Sequence, residues 1–476
     1  MRNHMHAFLA MHILWQMIGG SLFPFCLAVV TAASESHSVG KQLQIATFEC
    51  DATPPLGSPL CYGYVPATEQ IVDRLSVRGI VLLSDQDPIV LCAVDWVGIS
   101  NAAHDQWRAT LADTVGTTVN RVAVHVLHQH DAPGVDYSAG AILAEQGLAG
   151  VMYHETFARQ TLIQVAEAAS ESMRHLQPVT HLGWGSARVE KFASNRRILG
   201  PDGKVRGVRF TTCKDPALRA EPEGTIDPWV KVVSLWNEDE PVSVLSYYAT
   251  HPQSYYGRGG VSCDTVGLAR GIRQAAIPDA AHLHFNGAGG NVGAGKYNDG
   301  AEKNRGILAK RLADGMELAW KSATKRVAVT TANIEWNTVD VQLPVRDTLN
   351  ETDLLRDLRD KQLPQKKRIR AASGLAWMKR CQEGYKITIS SLRIDDVHIL
   401  HLPGELFVEY QLAAQQMRSD AFVCMATYGD QGPGYIGTEV SYGEGGYETS
   451  VVSRTAPEVE HVLMSAMRTL LHADRR

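Results

Sequence analysis

The strongest constraint on the fold of this chain is the alternation of short apolar runs with segments of helical spacing. The β-branched runs at residues 89–94 and 122–127 predict buried strands. Between and after them, residues 102–114 and 155–176 place apolar side chains at the spacing of a helix. Strands mixed with helices in this way predict an α/β fold of layered mixed sheets flanked by helices.

The same patterns continue along the chain, and 45% of its residues are hydrophobic, which is enough for a large core. Residues 81–83 and 89–94 predict a hairpin around the turn at residues 85–88. Further strands are predicted at residues 230–236, 242–249, 282–285 and 399–402, and further helices at residues 265–276, 303–321, 353–379, 403–417 and 457–471. A chain of 476 residues accommodates two or three domains or one large α/β domain, and it contains no linker that separates two halves.

The N-terminal segment has the pattern of an export signal. Arg2 lies in a short polar start, and an apolar run from residue 7 to residue 33 ends in the small residues Thr31, Ala32 and Ala33. Residues 1–33 therefore predict a signal peptide and a secreted or periplasmic protein. The run is long for a cleaved signal, so an uncleaved anchor that associates the protein with a membrane is the alternative.

Charge and cysteine usage narrow the possible functions. The net charge is −5 with both signs mixed, and nothing in this pattern predicts nucleic-acid binding, which usually needs a basic face. Of eight cysteines, Cys26 falls in the predicted signal. Cys50 and Cys61 flank a turn-rich stretch and are candidates for a disulfide, with buried free thiols as an equal alternative. No C-x2-C pair exists, which argues against a structural zinc site of four cysteines.

Residues that can do chemistry recur where predicted strands end. His128 and His130 follow one strand, His251 follows another, and Glu405 follows a third. In α/β folds the loops beyond strand ends carry functional residues, while the sheet holds those loops in place. The sequence therefore predicts that these side chains share one site.

The His128-Gln-His130 motif predicts two imidazoles on one side of a strand end. Residues at i and i+2 of a strand point to the same face. Two such rings can bind a metal together, or one can bind it while the other transfers a proton. His282-Leu-His284 has the same spacing, so spacing alone does not separate a metal site from a polar strand end. The tight turn at residues 131–134 favours His128 and His130 at the edge of a cleft.

A glycine-dense loop follows the strand at residues 282–285. Its segment 290–296 fits the G-x4-G-K pattern of a phosphate-binding loop. Tyr297 stands where such a loop needs Ser or Thr for magnesium, and an exported protein has little use for an ATP site. The loop is therefore expected to let the backbone approach a substrate closely.

Tyr435 and Tyr447 lie in or beside a second glycine-rich segment, residues 429–446. A tyrosine in such a loop is either an anchor or a functional phenol. A functional phenol donates a hydrogen bond to a developing oxyanion or binds a metal as phenolate.

In their order along the chain, these segments resemble the N-terminal catalytic domain of the neutral/alkaline (non-lysosomal) ceramidases. That family has a T-H-T-H-S-G-P segment, which is similar to Leu127-His-Gln-His-Asp-Ala-Pro133. It also has a G-Y-V-T-T segment with a second tyrosine twelve residues later, matched by Tyr435 and Tyr447. The other matching segments are Asn195-Arg196, the strand end before His251, Ser262 to Gly267, Gly290 to Gly293, and Pro403-Gly-Glu405. The resemblance covers residues 42 to 455.

The resemblance implies a zinc-dependent amidohydrolase whose catalytic domain spans residues 42–472. The implied Zn²⁺ ligands are His128, His251, Glu405 and Tyr435. Zinc-bound water is then the nucleophile that attacks an amide carbonyl. Arg196 and Tyr447 are implied to stabilise the oxyanion, and His130 to assist proton transfer and positioning. The implied substrate is a small N-acyl or lipid-like compound, and sphingolipid metabolism is the implied setting.

Three departures from the family bear on the substrate. Gly293 and Asn291 stand where the family has serine and aspartate in G-D-V-S-P-N. The chain ends soon after Tyr447, without the immunoglobulin-like C-terminal domain of full-length ceramidases, and residues 353–379 form a basic insertion. A smaller N-acyl compound is therefore as plausible as ceramide. The alternatives are hydrolysis of an ester or glycan-linked group on the same scaffold, and a non-catalytic exported protein that binds lipid or carbohydrate.

Overall fold

A computed structural model describes residues 41–473 of the chain. The predicted signal at residues 1–33 and Cys26 lie outside the described residues. Within them the strands are β1 Leu43–Asp51, β2 Gln70–Ile71, β3 Ser76–Leu83, β4 Ile89–Val94, β5 Gly98–Ser100, β6 Val122–Val126, β7 Gly134–Asp136, β8 Gln177–Val179, β9 His181–Arg188, β10 Ser194–Asn195, β11 Arg197–Leu199, β12 Val205–Val208, β13 Trp229–Asn237, β14 Glu240–Tyr248, β15 Gly260–Val261, β16 Ala281–Asn286, β17 Val292–Gly293, β18 Arg326–Ala328, β19 Ile334–Val341, β20 Ile387–Ile394, β21 Val397–His401, β22 Glu405–Leu406, β23 Phe422–Ala426 and β24 Tyr435–Ile436.

The helices alternate with these strands along the chain. Among residues 41–473 they are α1 Ala102–Val115, α2 Tyr137–Glu145, α3 Glu155–Ser172, α4 Pro216–Ala220, α5 Asp264–Ala276, α6 Lys303–Ser322, α7 Glu351–Arg359, α8 Gln365–Gln382, α9 Val408–Met417, α10 Glu439–Glu444, α11 Tyr447–Ser450 and α12 Val459–Leu470. None of the helices in this described part of the chain has the length and apolar character needed to cross a membrane.

Three larger sheets organise the fold. Their strand orders are β6-β4-β3-β1-β8, β16-β14-β13-β9-β18 and β19-β20-β21-β23. Each sheet contains one parallel pair, β4 with β6, β14 with β16 and β21 with β23, and its other neighbours are antiparallel. The predicted α/β fold of layered mixed sheets flanked by helices is therefore confirmed.

The first sheet is buried on both faces, which explains its continuous apolar runs. Every residue of β4 is buried. Leu91 and Ala93 face the core that the three sheets share. Val90 and Cys92 face the opposite core, which is closed by α1, α3 and α8. Because successive strand residues point to opposite faces, a strand buried on both sides shows no alternation of polar and apolar residues.

Most predicted elements agree with the structure to within a few residues. The predicted hairpin is formed by β3 and β4, and the helices predicted at residues 102–114, 265–276 and 303–321 are α1, α5 and α6. The helix predicted at residues 155–176 ends earlier, at Ser172. The basic stretch predicted as one helical segment forms two helices, α7 and α8, and Pro364 is the cap residue before α8.

The prediction of a helix that begins at residue 403 is wrong. Glu405 and Leu406 form the short strand β22, which pairs with β24, and α9 begins only at Val408. Gly404 has a φ of 62°, outside the helical region. The backbone N–H of Glu405 donates to the Gly434 carbonyl at 2.9 Å. This N–H therefore bonds to the segment that leads into β24 and not to a carbonyl within a helix. This strand orients the Glu405 side chain.

All seven cysteines among the described residues are free thiols, and all except Cys50 are buried. Cys50 and Cys61 therefore form no disulfide here, and the free-thiol alternative is the one that the structure supports.

Candidate active site

His128 reaches the site through a sharp change of backbone direction. It lies two residues beyond the end of β6, has a φ of 62°, and its backbone N–H donates to the Trp96 carbonyl at 2.9 Å. The two rings lie side by side as predicted, but strand geometry is not the reason, because the strand ends at Val126. The left-handed residue nevertheless keeps the two rings together, with centroids 5.2 Å apart.

Backbone carbonyls fix the orientation of two imidazoles. His128 Nδ1 donates to the Val97 carbonyl at 2.6 Å, and His251 Nδ1 donates to the Gly289 carbonyl at 2.6 Å. A ring that carries its proton on Nδ1 presents the Nε2 lone pair to the other side. This is the arrangement found in histidines that bind metals through Nε2.

The Glu405 carboxylate lies between these two rings. Its Oε2 is 3.1 Å from His128 Nε2 and 3.1 Å from His251 Nε2. Burial and the nearby Arg196 guanidinium lower the pKa of His251 to about 4, so this imidazole is neutral at neutral pH. Burial raises the pKa of the Glu405 carboxyl, but the two imidazoles beside it hold that pKa well below its usual range. An ionised oxygen thus faces imidazole lone pairs.

The Glu405 Oε2 atom is buried and accepts no hydrogen bond. A buried charged oxygen without a partner is costly, and structures rarely leave one unsatisfied. Imidazole nitrogens and a carboxylate oxygen are ligands that suit Zn²⁺. A cation between these atoms removes the conflict, so the residues present fit a divalent metal.

His130 completes a group of three imidazoles. One nitrogen from each of His128, His130 and His251 lies within 4.8 Å of the others, a spacing that can hold a metal ion. Burial, and then the neighbouring His128 and His251, lower the pKa of His130 well below its usual range. Its ring packs edge-on against Tyr256, with centroids 4.7 Å apart. His130 is therefore available as a further ligand or as a neutral proton acceptor.

Tyr435 enters the same group from the strand beside Glu405. The two residues are directly paired across the parallel ladder of β22 and β24. The Tyr435 hydroxyl lies 3.0 Å from His251 Nε2, so it belongs to the set of atoms that converges on the site.

Arg196 and Tyr447 form the wall next to Tyr435. Arg196 Nη1 donates to the Tyr435 hydroxyl at 3.1 Å, and Nη2 donates to the Tyr447 hydroxyl. The two hydroxyls are 3.0 Å apart. Burial opposes the charge of Arg196, but the phenols and Glu448 raise its pKa well above the usual value. Burial raises the pKa of Tyr447 to about 12, so its hydroxyl remains a donor at neutral pH.

Several site residues were not found by sequence reasoning. Glu448 is fully buried, and its Oε1 lies 4.0 Å from Arg196 Nε. Tyr428 stacks on His128 with ring centroids 4.7 Å apart. Phe210 packs against Tyr447 at 5.2 Å between centroids. Glu448 is adjacent to Tyr447, and Tyr428 directly precedes the glycine-rich segment at residues 429–446. For these two residues, position beside a predicted feature was the available signal.

A cavity of about 500 Å³ opens onto this group. All seven predicted site residues line it: His128, His130, Arg196, His251, Glu405, Tyr435 and Tyr447. A larger cleft of about 850 Å³ lies on the other side of the Arg196–Arg197 segment and is lined by Arg197, Arg209 and several glutamates. That cleft contains none of the three imidazoles, so the smaller cavity is the candidate active site.

The glycine-dense loop supports the site from behind. A Cβ at Gly289 would lie 2.5 Å from the Thr250 backbone, and a Cβ at Gly290 would lie 2.3 Å from the Glu405 carbonyl. At these two positions glycine permits close approach of backbone segments, not of a substrate. Lys296 Nζ donates to the carbonyls of Arg219 and Glu221, so this lysine is already engaged and does not face a phosphate site.

The second H-x-H motif lies away from the site, in β16 of the second sheet. His282 contacts the Ile277 carbonyl at 3.2 Å, and His284 contacts the Ser246 hydroxyl at 2.9 Å. Both are buried histidines with polar partners.

Comparison with known proteins identifies the fold. No protein-family model and no curated protein matches the chain. Among solved structures, the chain is similar to neutral ceramidase from Pseudomonas aeruginosa and to a ceramidase complexed with C2. Each comparison gives a TM-score of 0.66 and a sequence identity of 16%. Each aligned region covers 91% of this chain and 75% of the ceramidase chain. The chain therefore has the fold of neutral ceramidases, as the sequence resemblance implied.

Proposed function

We propose that this chain, which has the fold of neutral ceramidases, is a zinc-dependent hydrolase that cleaves an amide (N-acyl) bond. The observation that carries the proposal is the buried Glu405 Oε2, which lies 3.1 Å from two imidazole nitrogens and accepts no hydrogen bond. We assign the metal ligands to His128, His251, Glu405 and Tyr435. Bound Zn²⁺ at such a site lowers the pKa of a water molecule to about 7 and polarises a carbonyl.

The remaining residues have separate roles in this proposal. Arg196 and Tyr447 donate hydrogen bonds to the amide oxygen as it gains negative charge, because both are donors at neutral pH. His130 is neutral, and a nitrogen of its ring accepts a proton from the attacking water and returns it to the leaving nitrogen. Arg196, His251 and Glu405 are buried, and the low dielectric of a buried site strengthens each of these interactions.

We further propose that the predicted signal at residues 1–33 exports the protein and that residues 42–472 form its catalytic domain.

A substrate with an apolar acyl part suits the cavity, which is lined by Val65, Leu349, Leu354 and Val451 in addition to the polar residues. Ceramide and smaller N-acyl compounds both belong to this class.

Hydrolysis of matched substrates tests the proposal. The protein beginning at Ser34 is supplied with zinc and assayed with a medium-chain N-acyl amide and with the ester of the same acyl group. We expect amide hydrolysis that is lost in His251→Ala and retained in His461→Ala, which alters an exposed histidine. Hydrolysis of the ester alone would assign a different bond to this scaffold. Turnover of neither compound would favour a binding protein without activity.

A further inference from the structure

Two arginines line the cavity in addition to Arg196. Arg370 lies on α8, and Arg454 lies in the segment that follows α11. In the described part of the chain, neither guanidinium has a carboxylate within the 4.0 Å of an ion pair. Arg454 Nη1 donates to the Gly432 carbonyl at 2.7 Å, which occupies one of its five donors. Both residues therefore bring a positive charge to the cavity without an ion pair among the described residues.

Tyr64 lines the same cavity and lies within the electrostatic influence of both guanidiniums. Burial raises the pKa of the Tyr64 hydroxyl, while Arg454 and Arg370 both act to lower it. Two positive charges beside one hydroxyl repel each other, and an anion between them would relieve that repulsion.

The acidic residues of the cavity are committed elsewhere. Glu405 belongs to the candidate metal site. Asp136 accepts hydrogen bonds from the backbone N–H of Ala139 at 3.0 Å and from Asn101 Nδ2 at 2.7 Å, so it caps helix α2. Burial raises the pKa of Asp136 to about 6, and the Arg454 charge acts in the opposite direction without forming an ion pair. Among the described residues, the cavity wall thus offers Arg370 and Arg454 no carboxylate at ion-pair distance.

An apolar surface lies beside the two arginines. Leu349 and Leu354 line the cavity next to Gly374 of α8. A Cβ at Gly374 would lie 3.0 Å from Leu354 Cδ2 and 3.3 Å from Leu349 Cδ1, so the glycine lets both leucines pack closely over the helix. This part of the cavity therefore combines an apolar surface with two cations, and an apolar chain with an anionic group matches both.

We propose that the natural substrate is an N-acyl compound with an anionic group, a carboxylate or a phosphate, that binds Arg370 and Arg454 while its apolar part contacts Leu349 and Leu354. The hydrolytic part of this inference rests on the proposed function. A neutral lipid amide would leave both guanidiniums without an anion. Guanidinium forks form paired, charge-assisted hydrogen bonds with carboxylate and phosphate oxygens, so they select for such a group.

Three amides with the same acyl chain test the inference. N-octanoylglycine carries a carboxylate, N-octanoyl-2-aminoethyl phosphate carries a phosphate, and N-octanoylglycinamide is neutral. Initial rates are measured with the zinc-loaded full chain, and equilibrium binding is measured by calorimetry on the zinc-depleted full chain. Binding to zinc-depleted protein reports on the arginines even if no compound is hydrolysed.

The variants are Arg370→Gln, which alters an exposed side chain, and Arg454→Lys, which keeps a donor for the Gly432 carbonyl. The control is Arg359→Gln on helix α7, which removes an exposed arginine that does not line the cavity. We expect each cavity variant to raise KM and Kd for an anionic compound about 10- to 100-fold, and to change both constants much less for the neutral amide. The anion with the larger effect identifies the carboxylate or the phosphate as the preferred group.

Equal binding of all three compounds, or equal losses in the cavity variants and in Arg359→Gln, would overturn the inference and leave the proposed hydrolase intact. Charge-selective binding that depends on Arg370, without turnover of any compound, would support the anion site and contradict the proposed amide hydrolysis.

Discussion

Two backbone carbonyls determine what His128 and His251 can do. Each accepts the Nδ1 proton of one ring at 2.6 Å, and this leaves both Nε2 atoms directed at Glu405. Such outer contacts fix the tautomer and ring orientation of metal-binding histidines. The carbonyls belong to Val97 and Gly289, whose side chains carry no sign of this role, so the sequence alone could not reveal it.

At the residue scale, Tyr447→Phe separates oxyanion stabilisation from metal binding. The variant removes a hydroxyl that accepts a hydrogen bond from Arg196. The pKa of this hydroxyl is raised to about 12, so it is protonated at neutral pH. Loss of one oxyanion donor lowers kcat by about 10²- to 10³-fold. We expect that loss in steady-state assays with an unchanged zinc content, while Tyr297→Phe, outside the cavity, keeps full activity. Loss of zinc in Tyr447→Phe would instead make this tyrosine a ligand.

Gly293 is a second residue whose substitution is informative, because the ceramidase pattern has serine there. A Cβ at this position would lie 3.7 Å from Arg196 Cγ and Cδ and 3.8 Å from His251 Cβ, which are ordinary contacts. Gly293→Ser should therefore fold with a loss of less than about 1 kcal/mol in the free energy of unfolding. We expect changed relative rates on different N-acyl substrates.

Gly290→Ser is the matched contrast in denaturant unfolding. Its Cβ would come within 2.3 Å of the Glu405 carbonyl, so the backbone must shift. Overpacking of this kind costs about 1–3 kcal/mol. Equal stability of the two serine variants would show that the loop is looser than the structure describes.

At the element scale, the site is built where strands of three sheets end. His128 follows β6, His251 follows β14, and Glu405 follows β21. The sequence predicted this convergence because chemically able residues stood at each strand end. It did not predict β22, because two residues of a parallel ladder have no periodicity, and their partner Tyr435 is distant in the chain.

The Asp95–Arg270 ion pair connects helix α5 to the Asp95–Trp96 segment, whose Trp96 carbonyl accepts the backbone N–H of His128. Arg270 binds both oxygens of Asp95 at 2.7 Å, and the pair is almost completely buried. Asp95→Asn leaves the Arg270 charge buried without a partner, which costs about 3–5 kcal/mol. Chemical denaturation should show this loss. Asp239→Asn, which breaks an exposed pair with Arg326, should cost less than about 1 kcal/mol.

The same pair predicts a dependence of stability on pH. Burial raises the pKa of Asp95, but Arg270 lowers it, and the result lies below the usual value. A carboxyl with a depressed pKa in the folded state stabilises fully above its unfolded pKa of about 3.9. That contribution is lost as the pH falls through the folded pKa. The stability difference between the parent protein and Asp95→Asn should therefore shrink below about pH 4, and a constant difference would contradict this assignment.

At the scale of the whole molecule, the layered α/β fold was predictable from the sequence. The way distant segments bury the side chains of the site was not. Continuous apolar runs identified strands of the buried sheets, such as β4, because such strands have buried residues on both faces. The stacking of Tyr428 on His128 and the burial of Glu448 depend on how distant segments pack. The insertion at α7 and α8 was visible as a basic stretch, but its place in the cavity wall depends on tertiary packing.

A metal bound by His128, His251 and Glu405 would join loops from all three sheets. Because zinc then binds the folded state and not the unfolded one, it raises the thermal midpoint by an amount that grows with the zinc concentration. At a free zinc concentration of 100 times Kd the gain in the free energy of unfolding is about 2.7 kcal/mol. We expect chelation to lower Tm in scanning calorimetry and added zinc to restore it. A Tm that does not respond to either treatment would contradict a metal that links the sheets.

Metal content is the most direct test of the central claim, that these converging side chains form a zinc site. Elemental analysis is made on the purified protein beginning at Ser34 and on its His128→Ala/His251→Ala variant. We expect about one zinc per chain in the parent protein, and none above background in the variant at unchanged secondary structure. A parent protein that binds no metal after zinc is supplied would rule out this zinc site, and the chain would then be a binding protein on a ceramidase fold.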